Sequence, residues 1–343
     1  ARRNSFSLTL HASGAIDFVY GGLETPDAVV GLSPGRTTTV TAADLSRGEP
    51  RGSGGAIVER FASVDHLDLV ATVARFLAGH TDAFEQLVVY TTRPLNPQPG
   101  SLAFQVNVRN EVKGIGLEVR DDSRAWGSSG ALASVVYMDA VDAYREVDGF
   151  EILGHEVAHR WLARLRFRDA SGAASSALLG RSAVHWSFFL DSDASMLEGN
   201  RVADRGGGAF ETTAIVEGYS PLDLYGMGLA SAAEVPPFFH VAEAGDFQPD
   251  RSFSAASGPE AGVRFTGVRR DVSLDDVIAI EGPRVPAADV ASRRLRQAFV
   301  LVADPQAPAD ASRVAILARI RKHFGPWYSG ATRGRGIADS TLP

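Results

Sequence analysis

Cysteine is absent from the 343 residues, which removes disulfides, thiolate metal sites and cysteine nucleophiles together. No apolar run approaches the ~20 residues that a helix needs to cross a bilayer. There is no GxSxG nucleophile elbow, no phosphate-cradling GxxxxGK and no dinucleotide-binding GxGxxG, since Gly114-Ile115-Gly116 stops short of the third glycine. Positive charge is in deficit as well. Lys and Arg number 34 against 41 Asp and Glu, a formal net charge of -7, which argues against a general nucleic-acid binder because that function needs a basic surface. Two local clusters, Arg293/Arg294/Arg296 and Arg319/Arg321/Lys322, read as solvated faces. Aromatic residues make up only 8%, too few to favour exposed sugar-stacking platforms.

What remains is enough for a substantial core: 45% hydrophobic and 22% charged residues, with 35 Gly and 17 Pro, as in ordinary globular chains. The N-terminal sixty residues carry short strand-like runs, Phe6 to Leu10, Ile16 to Tyr20 and Thr37 to Thr41. From Asp65 the apolar positions Leu67, Val70, Val73, Ala74 and Leu77 follow helical spacing, and a β-rich run from Leu87 to Thr92 comes next. Ala103 to Arg109 and Ser134 to Met138 read as strands, and Gly149 to Arg166 reads as a helix with Leu153, Val157, Trp161 and Leu165 on one face. Residues 184–215 suggest a long hairpin whose arms are Trp186 to Leu190 and Ala209 to Ile215, around Gly206, Gly207 and Gly208. Ser220-Pro221-Leu222-Asp223 opens a short helix, with Ser as cap, Pro in the first turn and Asp as the capping-box acid. A strand near 264–270, a helix near 273–280, a strand at 297–303 and a basic helix at 310–324 complete the pattern. The fold class is therefore α+β, divided into a strand-rich segment 1–59, a core 60–245 and a mixed extension 246–343 packed on that core. The start at Ala1 rather than Met, together with the absence of cysteine, suggests a secreted or cell-envelope protein of a bacterium.

The chemistry centres on His155-Glu156-Val157-Ala158-His159, an HExxH motif. Residues four apart lie one turn above each other on a helix, so both imidazoles can reach one ion while Glu156 points at a water bound to it. A zinc ion lowers the pKa of that water, and the carboxylate can take its proton as it attacks a carbonyl. With only 8 His in the chain, chance produces such a motif in about one sequence in a hundred. The unbroken apolar setting improves on those odds.

Those five residues and their setting resemble the zincin metallopeptidases, whose active-site helix lies beneath a twisted mixed sheet. The resemblance implies a zincin-like core with bound Zn2+, His155 and His159 as ligands and Glu156 as general base. It also implies a third ligand further along the chain. No histidine follows His159 at six residues, so the metzincin extension is absent. Three residues compete for the third position. Asp223, in Tyr219-Ser220-Pro221-Leu222-Asp223-Leu224-Tyr225-Gly226, resembles the aspzincin pattern GTxDxxYG, in which Asp binds zinc and the following Tyr, here Tyr225, steadies the oxyanion. In this chain Tyr225 follows Asp223 by two residues instead of three. Glu217-Gly218 resembles the gluzincin element, and His185 is either a ligand or a donor to the oxyanion. Asp223 is the favoured ligand, and its alternative role is to cap its own helix. The run Tyr219 to Leu229 also looks like segments of exported bacterial zincin-like proteins of unassigned substrate.

The function expected on this basis is a zinc-dependent peptidase acting on a protein or peptide substrate as a monomer. The rivals are a zinc hydrolase of other amide or ester bonds and an adhesion or carbohydrate-binding module with a structural metal. Asp191 and Asp193 have no EF-hand spacing to support a calcium site.

Overall fold

A computed structural model describes residues 4–10, 16–23, 57–60, 67–94, 103–304 and 306–342. The strands are β1 (Asn4–Leu10), β2 (Ile16–Leu23), β3 (Ile57–Arg60), β4 (Gln86–Thr91), β5 (Phe104–Asn107), β6 (Arg109–Asn110), β7 (Arg120–Asp121), β8 (Ser134–Ala140), β9 (Phe167–Arg168), β10 (Ala174–Ser175), β11 (Trp186–Asp191), β12 (Glu198–Gly206), β13 (Ala209–Ala214), β14 (Phe238–Gln248), β15 (Arg264–Val272), β16 (Arg294–Ala303) and β17 (Ile337–Asp339). The helices are α1 (Leu69–Gly79), α2 (Phe150–Ala158), α3 (Pro221–Met227), α4 (Leu274–Glu281) and α5 (Ala311–Ala331). The fold is α+β. The expected strand Thr37 to Thr41 lies outside the described residues.

The main sheet runs β17-β16-β4-β8-β5, with β3 also paired to β16. Strands β3, β4, β8, β16 and β17 are parallel to their partners, and β5 alone runs antiparallel, along β8 at one edge. Buried side chains point both ways from its central strands, as a sheet covered on both faces requires. Leu87, Val89, Val135 and Tyr137 pack with Val73, Phe76 and Leu77 of α1 on one side. Val88, Tyr90, Val136 and Met138 pack with Leu153 and Val157 of α2 and with Leu317, Ile320 and Phe324 of α5 on the other.

A closed barrel follows, in the order β11-β12-β13-β15-β14. Its interior is aromatic, built on Phe188, Phe210, Phe239 and Phe265. The expected hairpin over 184–215 is corrected here: the Gly206–Gly208 turn joins β12 to β13, whereas β11 runs parallel to β12 and needs the loop between them. The expected division between 245 and 246 cuts across paired strands. The division at 245 falls inside β14, whose partner β15 lies beyond it. Residues 246–343 also supply β16, an inner strand of the main sheet, whose buried Val300–Val302 run lies between β4 and β3.

Candidate metal centre

Helix α2 is shorter than its apolar periodicity predicts. It begins after Gly149 and ends at Ala158, with His159 as its C-cap. The chain then turns through Ala163, which is held in the left-handed region at φ 59°. Both motif histidines therefore sit on the last turn, where the unpaired carbonyls make the helix end electronegative and favour a cation. Gly154 sets the approach of α5 behind them. A Cβ there would lie 2.3 Å from the Trp327 ring, and the Gly154 carbonyl accepts the Tyr219 hydroxyl at 2.8 Å.

The third histidine arrives from the start of the barrel. Ser182 and Ala183 both adopt left-handed backbone, φ 56° and 54°, and this strained turn folds the chain so that His185 faces α2. His155 Nε2 lies 3.1 Å from His185 Nε2 and 3.1 Å from His159 Nε2. One ring nitrogen from each of the three lies within 4.8 Å of the others, close enough to bind a single metal ion. His159 and His185 are buried and His155 is half-buried.

Hydrogen bonds fix how two of the rings are protonated. His155 Nδ1 is 2.9 Å from the Met196 carbonyl, and His185 Nδ1 is 2.9 Å from the Arg181 carbonyl. A carbonyl only accepts, so each Nδ1 carries the proton and each Nε2 of the neutral ring presents a lone pair. Burial, with the neighbouring His185 charge, pushes His155 down to about 4. Burial likewise holds His185 at about 4, against the pull of the Arg181 carbonyl. His159 is lowered well below the ordinary value by burial and by the other two rings. The neutral, metal-binding forms are the stable ones at neutral pH.

The donor set fits a transition-metal ion. Two lone pairs facing each other at 3.1 Å repel unless a cation lies between them. A tetrahedral site with zinc–nitrogen bonds of 2.0–2.1 Å has edges of about 3.3–3.4 Å, close to both nitrogen separations seen here. Imidazole donors also suit zinc and its neighbours in the series rather than magnesium or calcium.

Glu156 is buried beside this cluster, and its carboxylate accepts no hydrogen bond among the described residues. Burial raises it to about 7, while the Arg181 charge pulls it the other way. A carboxylate with unused lone pairs and a pKa near neutrality is suited to take and return a proton.

The other expected site residues are placed differently. Asp223 does not join the histidines. Its Oδ2 accepts from Ser195 Oγ at 2.6 Å and from the Ser220 amide at 2.8 Å, while Oδ1 accepts the Trp186 indole N–H at 2.8 Å. Ser220 completes a reciprocal capping box at the start of α3, so the capping role accounts for the carboxylate. Tyr225 is buried with its hydroxyl accepting the Arg284 amide at 2.9 Å. Glu217 is exposed and paired with Arg201 at 2.6 Å.

The structure adds two residues that sequence reasoning missed. Arg181 donates from Nη2 to His185 Nε2 at 3.0 Å and also bonds to Glu198. Glu198 is buried, has φ 71°, and carries one carboxylate oxygen, Oε2, with no partner. Neither lies in a recognisable motif, and Glu198, the first residue of β12, comes within 3.7 Å of His185 Nε2 because the loop after β11 turns the chain back. Comparison of the chain with protein-family models, with curated proteins and with solved structures finds no match.

Proposed function

We propose that this protein is a zinc-dependent hydrolase of peptide bonds, with His155, His159 and His185 as the metal ligands and Glu156 as the general base. The observation that carries this reading is the convergence of three imidazole nitrogens beside a buried carboxylate that has no hydrogen-bond partner among the described residues. The zincin-like reading of the core draws support from the antiparallel edge strand β5, which runs beside α2. When bound, the metal supplies Lewis acidity that acidifies water and polarises a carbonyl.

The chain's own residues supply the rest. Met196 and Arg181 carbonyls orient His155 and His185 through their Nδ1 protons, as outer partners of metal-bound histidines commonly do. Glu156 accepts the proton of the attacking water on its carboxylate and passes it to the departing amine, for which a pKa near neutrality suits both transfers.

The test pairs metal analysis with cleavage. One zinc per chain and hydrolysis of casein are expected, and Glu156→Gln should retain zinc while turnover falls by about 100-fold or more. A metal-replete protein that cleaves neither casein nor short peptides would overturn the peptidase reading.

A further inference from the structure

Away from the histidines, a partly enclosed cavity of about 280 Å3 lies between α3, the loop that follows β11 and residues 235–238, which lead into β14. Trp186, Leu190, Leu222, Val235 and Phe238 give it apolar walls. The only ionisable residues lining it are Asp191 and Asp193, so its charge is of one sign. The size sits near the lower end of small-molecule sites, and apolar walls with a few polar groups are their usual make-up.

The two aspartates differ in what answers them. Asp193 is paired with Arg201 at 3.0 Å and with Arg333 at 2.9 Å. Asp191 is half-buried and forms no ion pair among the described residues. Its Oδ1 accepts the Val202 amide at 3.0 Å, and backbone amides are its hydrogen-bond donors. Burial pushes its carboxyl up from the ordinary value while the Val202 amide pulls it down. A carboxylate held part-way out of water is stabilised by a cation that comes to it.

The rest of the cavity suits the same ligand. The Trp186 indole N–H is committed to Asp223 Oδ1 at 2.8 Å, so what this residue offers the cavity is its ring. Phe238 adds another, and aromatic rings attract cations. The floor is fixed in advance. Ser192, which also lines the cavity, donates from Oγ to the Glu198 carbonyl at 3.0 Å and from its amide to the Asn200 carbonyl at 2.8 Å.

We propose that this cavity is a second binding site, apart from the three histidines, for an organic monocation: a primary ammonium that meets Asp191, on an apolar stem that lies along Trp186 and Phe238. The site goes beyond the hydrolase reading and does not depend on it. The ammonium has two sources, a free small amine or the lysine side chain of a bound peptide.

Calorimetry on the full chain separates them with two matched pairs of probes, phenethylamine against phenethyl alcohol and acetyl-lysine amide against acetyl-norleucine amide. At least one amine should bind about tenfold or more tightly than its uncharged counterpart, and the pair that shows the gain identifies the source. Asp191→Asn keeps an oxygen for the Val202 amide and should abolish the preference. Val235→Trp, on the half-buried wall, should fill the cavity and weaken both members of the pair. Thermal unfolding of each variant checks that it is folded. Equal binding within both pairs overturns the proposal, and so does a preference that survives Asp191→Asn. An amine preference undiminished by Val235→Trp places the cation elsewhere on this acidic chain and overturns it as well. Neither variant alters a histidine or Glu156, so this test and the casein test fail independently.

Discussion

Asp223 and the histidine cluster are both polar groups taken out of water, and both draw on residues 185–196, yet they are buried in opposite ways. At Asp223 three donors from three places in the chain, Ser195, Trp186 and the Ser220 amide, meet two carboxylate oxygens. Burial raises its pKa and those bonds counter it. At the cluster, by contrast, lone pairs face each other at 3.1 Å, His159 Nδ1 is buried without a partner, and Glu156 accepts nothing from the described residues. A saturated cage has nothing left to offer a ligand, whereas an under-satisfied cluster does. The two are also coupled by adjacency. Trp186 follows His185, and Ser195 precedes Met196, whose carbonyl orients His155. The Asp223 cage therefore fastens both strands of backbone that aim the ring nitrogens, which gives Asp223 a positioning role at one remove.

The sharpest way to break this contrast is to empty the cage. Asp223→Ala leaves three buried donors unpaired, and the expected loss is about 3–5 kcal/mol of unfolding free energy, the range seen when one partner of a buried polar network is removed. Urea unfolding of the metal-free protein measures it. A loss under about 1 kcal/mol would mean that the cage contributes little and that the carboxylate is free for other work. Histidine substitutions should show the mirror image. His155→Ala, His159→Ala and His185→Ala should each weaken zinc by more than about 100-fold, beyond the 10- to 100-fold typical of an outer partner, as read by competition with a chromogenic chelator. Their metal-free stability should change less than that of Asp223→Ala. If Asp223→Ala, in its folded fraction, lost zinc as completely as His185→Ala, the distinction between cage and centre would collapse.

The same contrast explains what could be read from the sequence. Helical spacing made His155, Glu156 and His159 legible because their geometry is local, fixed by one turn of α2. The capping box at Ser220 and Asp223 was legible for the same reason, and so were α1 by its apolar spacing and β4 and β8 by their β-rich runs, whereas α5, expected as a basic helix at 310–324, continues to Ala331. The third partner was harder. Asp223 and His185 are both acceptable ligands by type, and only the donors contributed by Trp186 and Ser195, 37 and 28 residues away, distinguish them. The barrel was misread as a hairpin because β11 pairs in parallel with β12 through a loop, while β14 and β15 return from beyond residue 237. Arg181 and Glu198 depend on left-handed backbone at Ser182, Ala183 and Glu198 itself, which non-glycine residues do not advertise.

Removing the metal tests the open half of the comparison by a different route. A ligand that binds only the folded state adds about 2.7 kcal/mol at a hundredfold excess over its Kd. Chelation should therefore lower the apparent stability of wild type by about that amount and leave His155→Ala unchanged. Asp223→Asn, which keeps the shape of the cage and alters one of its oxygens, should still respond to chelation. A wild-type melting temperature indifferent to both zinc and chelator would place the cluster among ordinary packed histidines.

The smallest expected effect is the one that probes the link between the two centres. Trp186→Phe keeps a large buried ring but deletes the indole N–H that donates to Asp223 Oδ1 at 2.8 Å. The carboxylate keeps its bonds from Ser195 and the Ser220 amide, so the expected loss is about 1–2 kcal/mol, roughly one hydrogen bond to a charged acceptor plus some repacking. Trp186 touches the cluster only through the backbone it shares with His185. Zinc affinity should accordingly fall by less than about tenfold, the lower end of what an outer partner costs. Both readouts come from one variant, which makes the pair informative. A stability loss without an affinity loss would show that the cage is a fastening independent of the centre. An affinity loss as large as that of His185→Ala would show instead that the position of β11 is set chiefly by this one hydrogen bond, and the cage would then belong to the metal site.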